Sequence, residues 1–288
     1  MRGLTDKVAV VAGGGSGIGA GSAQRFAEEG AAVVVGDVNG PNAQRVAADI
    51  VAAGGRAVAV TFDIATEAGA DALIGAAVEH FGGLDCVHVN AADMSARGLG
   101  AESDHTIESV PLDVFDHTLA VDLRGHVLVT RRAIPELLAR GAGAIVYTSS
   151  VTAFIGEPVR PSYAMAKSGL LALTRHVASA WGAQGIRANA VTPGFVVKAP
   201  LPEEMPPELA ELVAQNTIRS TRVGRPGDIA GLVAFLGSDD GEWINGQTIA
   251  ADGGSTMRSG RARTGRAISP SPAGQPRVRQ RPPQPRRP

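Results

Sequence analysis

Short runs of apolar, largely β-branched residues recur along the chain: KVAVVA (7–12), AAVVVGD (31–37), RAVAVTFD (56–63), LDCVHVN (84–90), GAIVYTS (143–149) and IRANAVT (186–192). Runs this continuous suit strands buried on both faces of a parallel sheet. Between them lie longer Ala/Leu/Glu/Arg segments with helical periodicity, at 17–29, 41–53, 67–81, 113–140 and 161–184, and a further helix at 226–237 precedes a last strand, GQTIAAD (246–252). Repeated strand–helix units predict an α/β fold, a doubly wound parallel β-sheet flanked by helices and joined by right-handed crossovers. The chain has no internal repeat and no linker before Met257, so residues 1–257 are expected to form a single domain.

Composition agrees and removes several classes of function. An apolar fraction of 44% with 37 glycines and 4% aromatics fits a tightly wound α/β core. The single cysteine, Cys86, excludes an internal disulfide framework and a cysteine-rich zinc site. The six histidines (80, 88, 105, 117, 126 and 176) show no metal-binding spacing, and no Walker A lysine motif is present, so neither a metal site nor nucleotide hydrolysis is expected. The N-terminal apolar run is too short and too glycine-broken for a signal peptide. No stretch approaches the roughly 18 apolar residues of a membrane helix. A soluble cytoplasmic protein with no membrane association is therefore expected.

The net charge of −1 is the sum of +9 on residues 258–288, which hold nine arginines and no acid, and −10 on the rest. An acidic body argues against a nucleic-acid partner. The Arg/Pro/Ser/Gly-rich tail has almost nothing apolar to bury and is expected to be disordered. Its Pro282-to-Pro285 spacing matches a PxxP ligand, a pattern that such composition also produces by chance.

The segment AGGGSGIG (12–19) follows the first strand directly and opens a helix. In that context glycines have separate tasks: Gly13 for a tight turn, Gly17 for backbone approach to a pyrophosphate, Gly19 for close helix packing. With Ser16 and Ile18 they make a candidate dinucleotide cradle at a helix N-terminus, the Rossmann-type arrangement. Strand two ends at Asp37, 18 residues beyond Gly19, followed by Val38. A carboxylate there accepts from ribose hydroxyls and repels a 2′-phosphate. No Arg or Lys lies at 36–40 or in the loop to receive that phosphate, so NAD is expected over NADP. The plainer readings are a glycine turn and a strand-terminal turn aspartate.

Taken together, residues 5–256 resemble the short-chain dehydrogenase/reductase family. The glycine loop is similar to the family's TGxxxGxG, with Ala12 for the usual threonine, and NAA (90–92) to its NNAG, changed at Val89 and Ala92. Ser150 and Tyr163-xxx-Lys167 match its catalytic spacing, and PG (193–194) its nicotinamide-side loop. RVGRPGDIA (222–230) and INGQTIAADGG (244–254) resemble its C-terminal segments.

The resemblance implies hydride transfer between a secondary alcohol or ketone and NAD. Tyr163 would be the general acid/base, and a free phenol with a pKa of about 10 is a poor base at neutral pH. Lys167 would lower that pKa and bond the nicotinamide ribose, while Ser150 would bond the substrate oxygen. Ser149 would be structural. The family's asparagine, which holds a relay water through its main-chain carbonyl, is here Asp122. The remaining cofactor contacts implied are Asp63 with Ile64 at the adenine edge, and Asn90, Ala91, Pro193, Gly194 and Val196. Lys198 stands where the family often has threonine. A homotetramer, or failing that a dimer, would pair the helices at 113–140 and 161–184.

Residues 93–113, 152–160 and 195–220 should shape the substrate pocket. Their mixed polarity leaves steroid, sugar, cyclic diol and acyl substrates open. The changes at Ala12, Ala92 and Asp122 feed an alternative, a non-catalytic dinucleotide-binding redox sensor or oligomeric scaffold, which the intact Ser/Tyr/Lys set opposes.

Overall fold

The computed structural model describes residues 1–93, 104–197 and 222–257. Residues 94–103, Lys198 with most of the 195–220 segment, and the tail 258–288 lie outside the described residues. One sheet of seven parallel strands runs in the order β3-β2-β1-β4-β5-β6-β7. The strands are β1 (Val8–Ala12), β2 (Ala32–Asp37), β3 (Arg56–Thr61), β4 (Cys86–Val89), β5 (Gly143–Thr148), β6 (Ile186–Pro193) and β7 (Thr248–Ala251). The doubly wound sheet expected from the sequence is therefore present.

Alternate side chains feed two cores, as the two-residue period of a strand requires. Val10 packs with α3 (Glu67–Phe81), α5 (Gly125–Ala139) and α6 (Pro161–Trp181) through Leu73, Val129 and Leu171. Val11 packs with α1 (Gly17–Glu28), α2 (Gly40–Ala52) and α7 (Pro226–Gly237) through Phe26, Val46 and Ile229. Burial on both faces holds for β1, β2, β4 and β5 but not at the margins. β3 and β7 are largely half-buried, because an edge strand has a neighbour on one side only.

Helix boundaries follow local chemistry. Asn39 caps α2 by accepting from the Asn42 N–H, Thr66 caps α3 by accepting from the Gly69 N–H, and α3 ends where Gly82 turns left-handed at φ 77°. The segment expected as one helix over 113–140 is instead divided. α4 (Leu112–Leu119) passes into a π-helical turn, Ala120–Arg124, before α5 begins. At the start of α5 the chain passes close to the loop after β3: a Cβ on Gly125 would sit 2.8 Å from the Ile64 carbonyl oxygen. At the start of β6, the Arg187 guanidinium donates to the carbonyls of Leu236, Ser238 and Gly241, fastening that strand to the end of α7.

Two glycines give opposite expectations for one substitution. A Cβ on Gly36 would lie 2.3 Å from Leu73 Cδ1 and 2.9 Å from the Phe62 ring, whereas one on Gly75, inside α3, meets nothing within 4 Å. Gly36→Ala should destabilise by about 1–3 kcal/mol through overpacking. Gly75→Ala should stabilise by up to about 1 kcal/mol through helix propensity. Urea denaturation midpoints at constant slope measure both.

Candidate active site

Because every strand is parallel, the strand C-termini share one edge of the sheet, and the strand order reverses between β1 and β4. That is where a crevice opens in such sheets. Every sequence-predicted site residue within the described chain follows a strand end there or lies on an element packed against it.

Gly13, at φ 83°, and Gly14 both donate their N–H to the Gly36 carbonyl at 2.8 Å. Asn90 donates its side-chain amide to the Gly13 carbonyl at 3.1 Å, and a Cβ on Gly19 would lie 1.9 Å from that same oxygen. Loop and helix thus touch backbone to backbone, with Ala91 closing the other side at 2.6 Å from a Cβ on Gly13. Ser16 is the extended N-cap residue of α1, and the N–H groups of the first turn, including Gly17, Ile18 and Gly19, have no earlier helical carbonyl to bond. A glycine-lined cradle that any Cβ would fill fits a dinucleotide pyrophosphate.

Asp37 closes the cradle toward β2. Its two carboxylate oxygens accept from the Gly15 and Asn39 N–H groups at 2.9 Å each, which fixes the charge at the strand end beside exposed Val38. Asp63 is exposed and accepts from the Ala65 N–H, while Ile64 is buried. Beyond β6, Pro193 and Gly194 lead to Val196, which bridges to Gly224.

Tyr163 and Lys167 lie one turn apart on α6. Lys167 is 1% exposed; its Nζ sits 5.4 Å from the centre of the Tyr163 ring, donates to the Thr148 carbonyl at 3.3 Å and lies 3.8 Å from Asp122 Oδ2. Ser149 donates its hydroxyl to the Lys167 carbonyl at 2.7 Å, so it serves as a strut between β5 and α6. Ser150, the next residue, is buried at the mouth of β5 and accepts from the Thr152 N–H.

Asp122 occupies the π-helical turn and is fully buried. Oδ1 accepts from the Asp93 N–H at 2.7 Å; among the described residues Oδ2 has no hydrogen-bond partner. Burial raises its carboxyl above the usual range, more than the nearby Lys167 ammonium lowers it. The position is expected to act through its main-chain carbonyl, with a carboxylate close enough to influence the lysine, and the side chain does face Lys167. Asp93 and Asp104 fall in the 93–113 segment expected to shape the pocket, but no pattern singled out either residue, nor the Thr148 carbonyl. Asp104 accepts from Ser162 and Tyr163 at the start of α6.

Two buried histidines flank the lysine's pocket. His88 Nε2 shares a hydrogen bond with Thr148 Oγ1 at 2.8 Å, and burial pushes its imidazole down to about 3. His126 is held well below its usual value by burial first and by the Lys167 charge second. Among the described residues no group of three or more His, Cys, Asp or Glu is placed to hold a metal ion, and no helix is long and apolar enough to cross a membrane.

Comparison with known proteins agrees with this geometry. The family described as enoyl-(acyl carrier protein) reductase matches residues 12–256. A probable short-chain type dehydrogenase/reductase of Bradyrhizobium diazoefficiens is 39% identical over 254 residues, covering 86% of each chain. The chain is a short-chain dehydrogenase/reductase. The cis-4-hydroxycyclohexanecarboxylate dehydrogenase of Sinomonas cyclohexanicum is 38% identical, over 88% of this chain and 98% of its own. The cyclohexanol dehydrogenase of an Acinetobacter strain is 36% identical, over 88% and 97%. The crystal structure of a putative short-chain alcohol dehydrogenase from Sinorhizobium meliloti superposes with a TM-score of 0.79 at 32% identity, covering 88% of this chain and 98% of that one. This short-chain dehydrogenase/reductase is accordingly an oxidoreductase, and its relatives include dehydrogenases named for alcohols.

The neutral histidines make the fold acid-sensitive. Their folded-state pKa values are depressed, so the unfolded chain binds protons first. The stability they allow is complete above about 6.5 and is lost progressively as pH falls below it. His126→Leu should flatten this loss; denaturation midpoints at pH 7 and pH 5 measure the difference in slope.

Proposed function

We propose that the chain is an NAD(H)-dependent dehydrogenase interconverting an alicyclic secondary alcohol and its ketone, with Tyr163 as general acid/base. The observation that carries this reading is the buried Lys167 ammonium, one helical turn from Tyr163 and 5.4 Å from its ring. NAD, when bound, supplies the carbon that accepts or donates hydride. In oxidation, Tyr163 Oη takes the hydroxyl proton as hydride leaves the adjacent carbon; in reduction it returns that proton. Lys167 favours the phenolate by its charge and holds the cofactor ribose, and Ser150 Oγ holds the reacting oxygen and steadies the developing alkoxide. Asp37 receives the adenosine ribose, with Gly13, Ser16, Gly17, Ile18 and Gly19 around the pyrophosphate. Val38, Asp63 and Ile64 receive the adenine; Asn90, Ala91, Pro193, Gly194 and Val196 line the nicotinamide side. The alicyclic substrate class is supported by the relatives that act on cyclohexanol and hydroxycyclohexanecarboxylate.

A non-catalytic redox sensor is the second reading, favoured by the carboxylate of Asp122 beside the lysine. NADH binding without turnover on cyclic alcohols and ketones would decide for it.

NAD should bind more tightly than NADP, because a 2′-phosphate would meet the fixed Asp37 carboxylate, and Asp37→Ala should narrow the gap; equal affinities in the unaltered protein would refute the assignment. Tyr163→Phe should keep the fold and NAD binding while kcat drops by about 10²–10⁴. Ser150→Ala should lower kcat with little change in NAD affinity. Truncation after Met257 should leave turnover, melting temperature and a homotetrameric sedimentation coefficient unchanged, since an Arg/Pro-rich tail adds no core.

A further inference from the structure

The helix that carries Tyr163 and Lys167 begins without a cap of its own. Its N-cap residue is Arg160, held at φ 61° and ψ 50°, whose side chain caps nothing. Arginine is costly in that left-handed region, and such residues persist where surrounding contacts over-determine them. The first helical residue is Pro161, which has no N–H. That leaves the Ser162 and Tyr163 amides as the first donors without a helical acceptor, since Ala164 N already bonds Arg160 O.

Both are satisfied from a distant segment. Asp104, 2% exposed, accepts from the Ser162 N–H on Oδ1 and from the Tyr163 N–H on Oδ2, at 3.3 Å each. Ser162, itself fully buried, also donates its hydroxyl to Oδ1 at 2.8 Å. The backbone completes the joint: the Arg160 N–H donates to the carbonyls of Asp104 and His105 at 2.7 and 3.1 Å. The Arg160 guanidinium then bonds Glu157 and lies 5.6 Å over the Tyr163 ring.

We propose that Asp104 is a positioning residue for proton transfer: its carboxylate moors the N-terminal end of α6 and so sets where Tyr163 stands relative to Ser150. This rests on the reading of Tyr163 as acid/base. The 3.6-residue repeat fixes Tyr163 relative to Lys167, and Ser149 fixes the Lys167 end of the helix against β5. The tyrosine's own end is held to the rest of the fold by Asp104. An anion at this end also meets the positive pole of the helix, which strengthens the bonds it accepts.

The test uses Asp104→Ala and Asp104→Asn in the full chain, with circular dichroism to confirm folding. An amide offers a single acceptor oxygen, so it can serve Ser162 without serving Tyr163. For Asp104→Ala, kcat at saturating NAD and cyclohexanol should fall by about tenfold to a hundredfold, while the KM for NAD moves by less than about threefold. Asp104→Asn should recover part or all of that loss. Hydrogen exchange should quicken at the Ser162 and Tyr163 amides and stay unchanged from Leu170 onward. The proposal is overturned by a folded Asp104→Ala protein with near-normal kcat. It is equally overturned by kcat and NAD affinity falling together with faster exchange along all of α6. If the unaltered protein turns over no alcohol, the catalytic reading fails by itself. Exchange then decides the mooring, and unchanged protection at Ser162 and Tyr163 overturns it.

Discussion

A lysine ammonium taken out of water is the interaction on which the site is organised. Isolated burial of a charge is prohibitive, so the surroundings must return hydrogen bonds and counter-charge. Here β5 returns the Thr148 carbonyl and the π-helical turn presents the Asp122 carboxylate. The tyrosine ring lies alongside. Of the neighbouring imidazoles, His126 is held down by burial and by the same ammonium, and His88 by burial alone. Helix α6 cannot slide along β5 without breaking the strut from Ser149. The lysine's requirements thus fix the relative placement of three elements that the sheet alone would leave adjustable.

The dinucleotide side obeys a different constraint, one of space rather than charge. Backbone meets backbone where α1 leaves the glycine loop, and Asn90, just past the end of β4, stitches that contact across the switch point. A side chain at Gly13 or Gly19 would fill the gap in front of the helix amides. Asp37, anchored by two amides, holds a fixed charge at the edge of that gap. The two halves of the crevice are therefore rigid for separate reasons.

Much of this was legible in the sequence because its signals are local. The glycine loop, Asp37 and the Tyr163/Lys167 spacing each lie within one turn or one strand end, and the alternation of runs specified the sheet. What escaped was non-local or depended on position in the sheet. Asp104 lies 59 residues before the tyrosine whose amide it holds, and nothing around it in sequence marks a cap. The π-helical turn at 120–124 looks like uninterrupted helix by periodicity, since one extra residue in a turn barely disturbs an apolar stripe. The runs at 56–63 and 246–252 resemble interior strands in composition, and they are edges only because of strand order, which composition does not encode.

The anchoring of Arg187 has a consequence for the way the chain is made. Its guanidinium belongs to β6, but the carbonyls that receive it come from residues 236–241, and the strand that covers β6 is β7 at 248–251. Until those last stretches leave the ribosome, the nascent sheet carries an open parallel edge and a cation without its acceptors. Parallel pairing across such separations is slow to form and exposed to wrong partners meanwhile. The interval before residues 236–251 emerge is therefore one in which this edge is open to wrong partners.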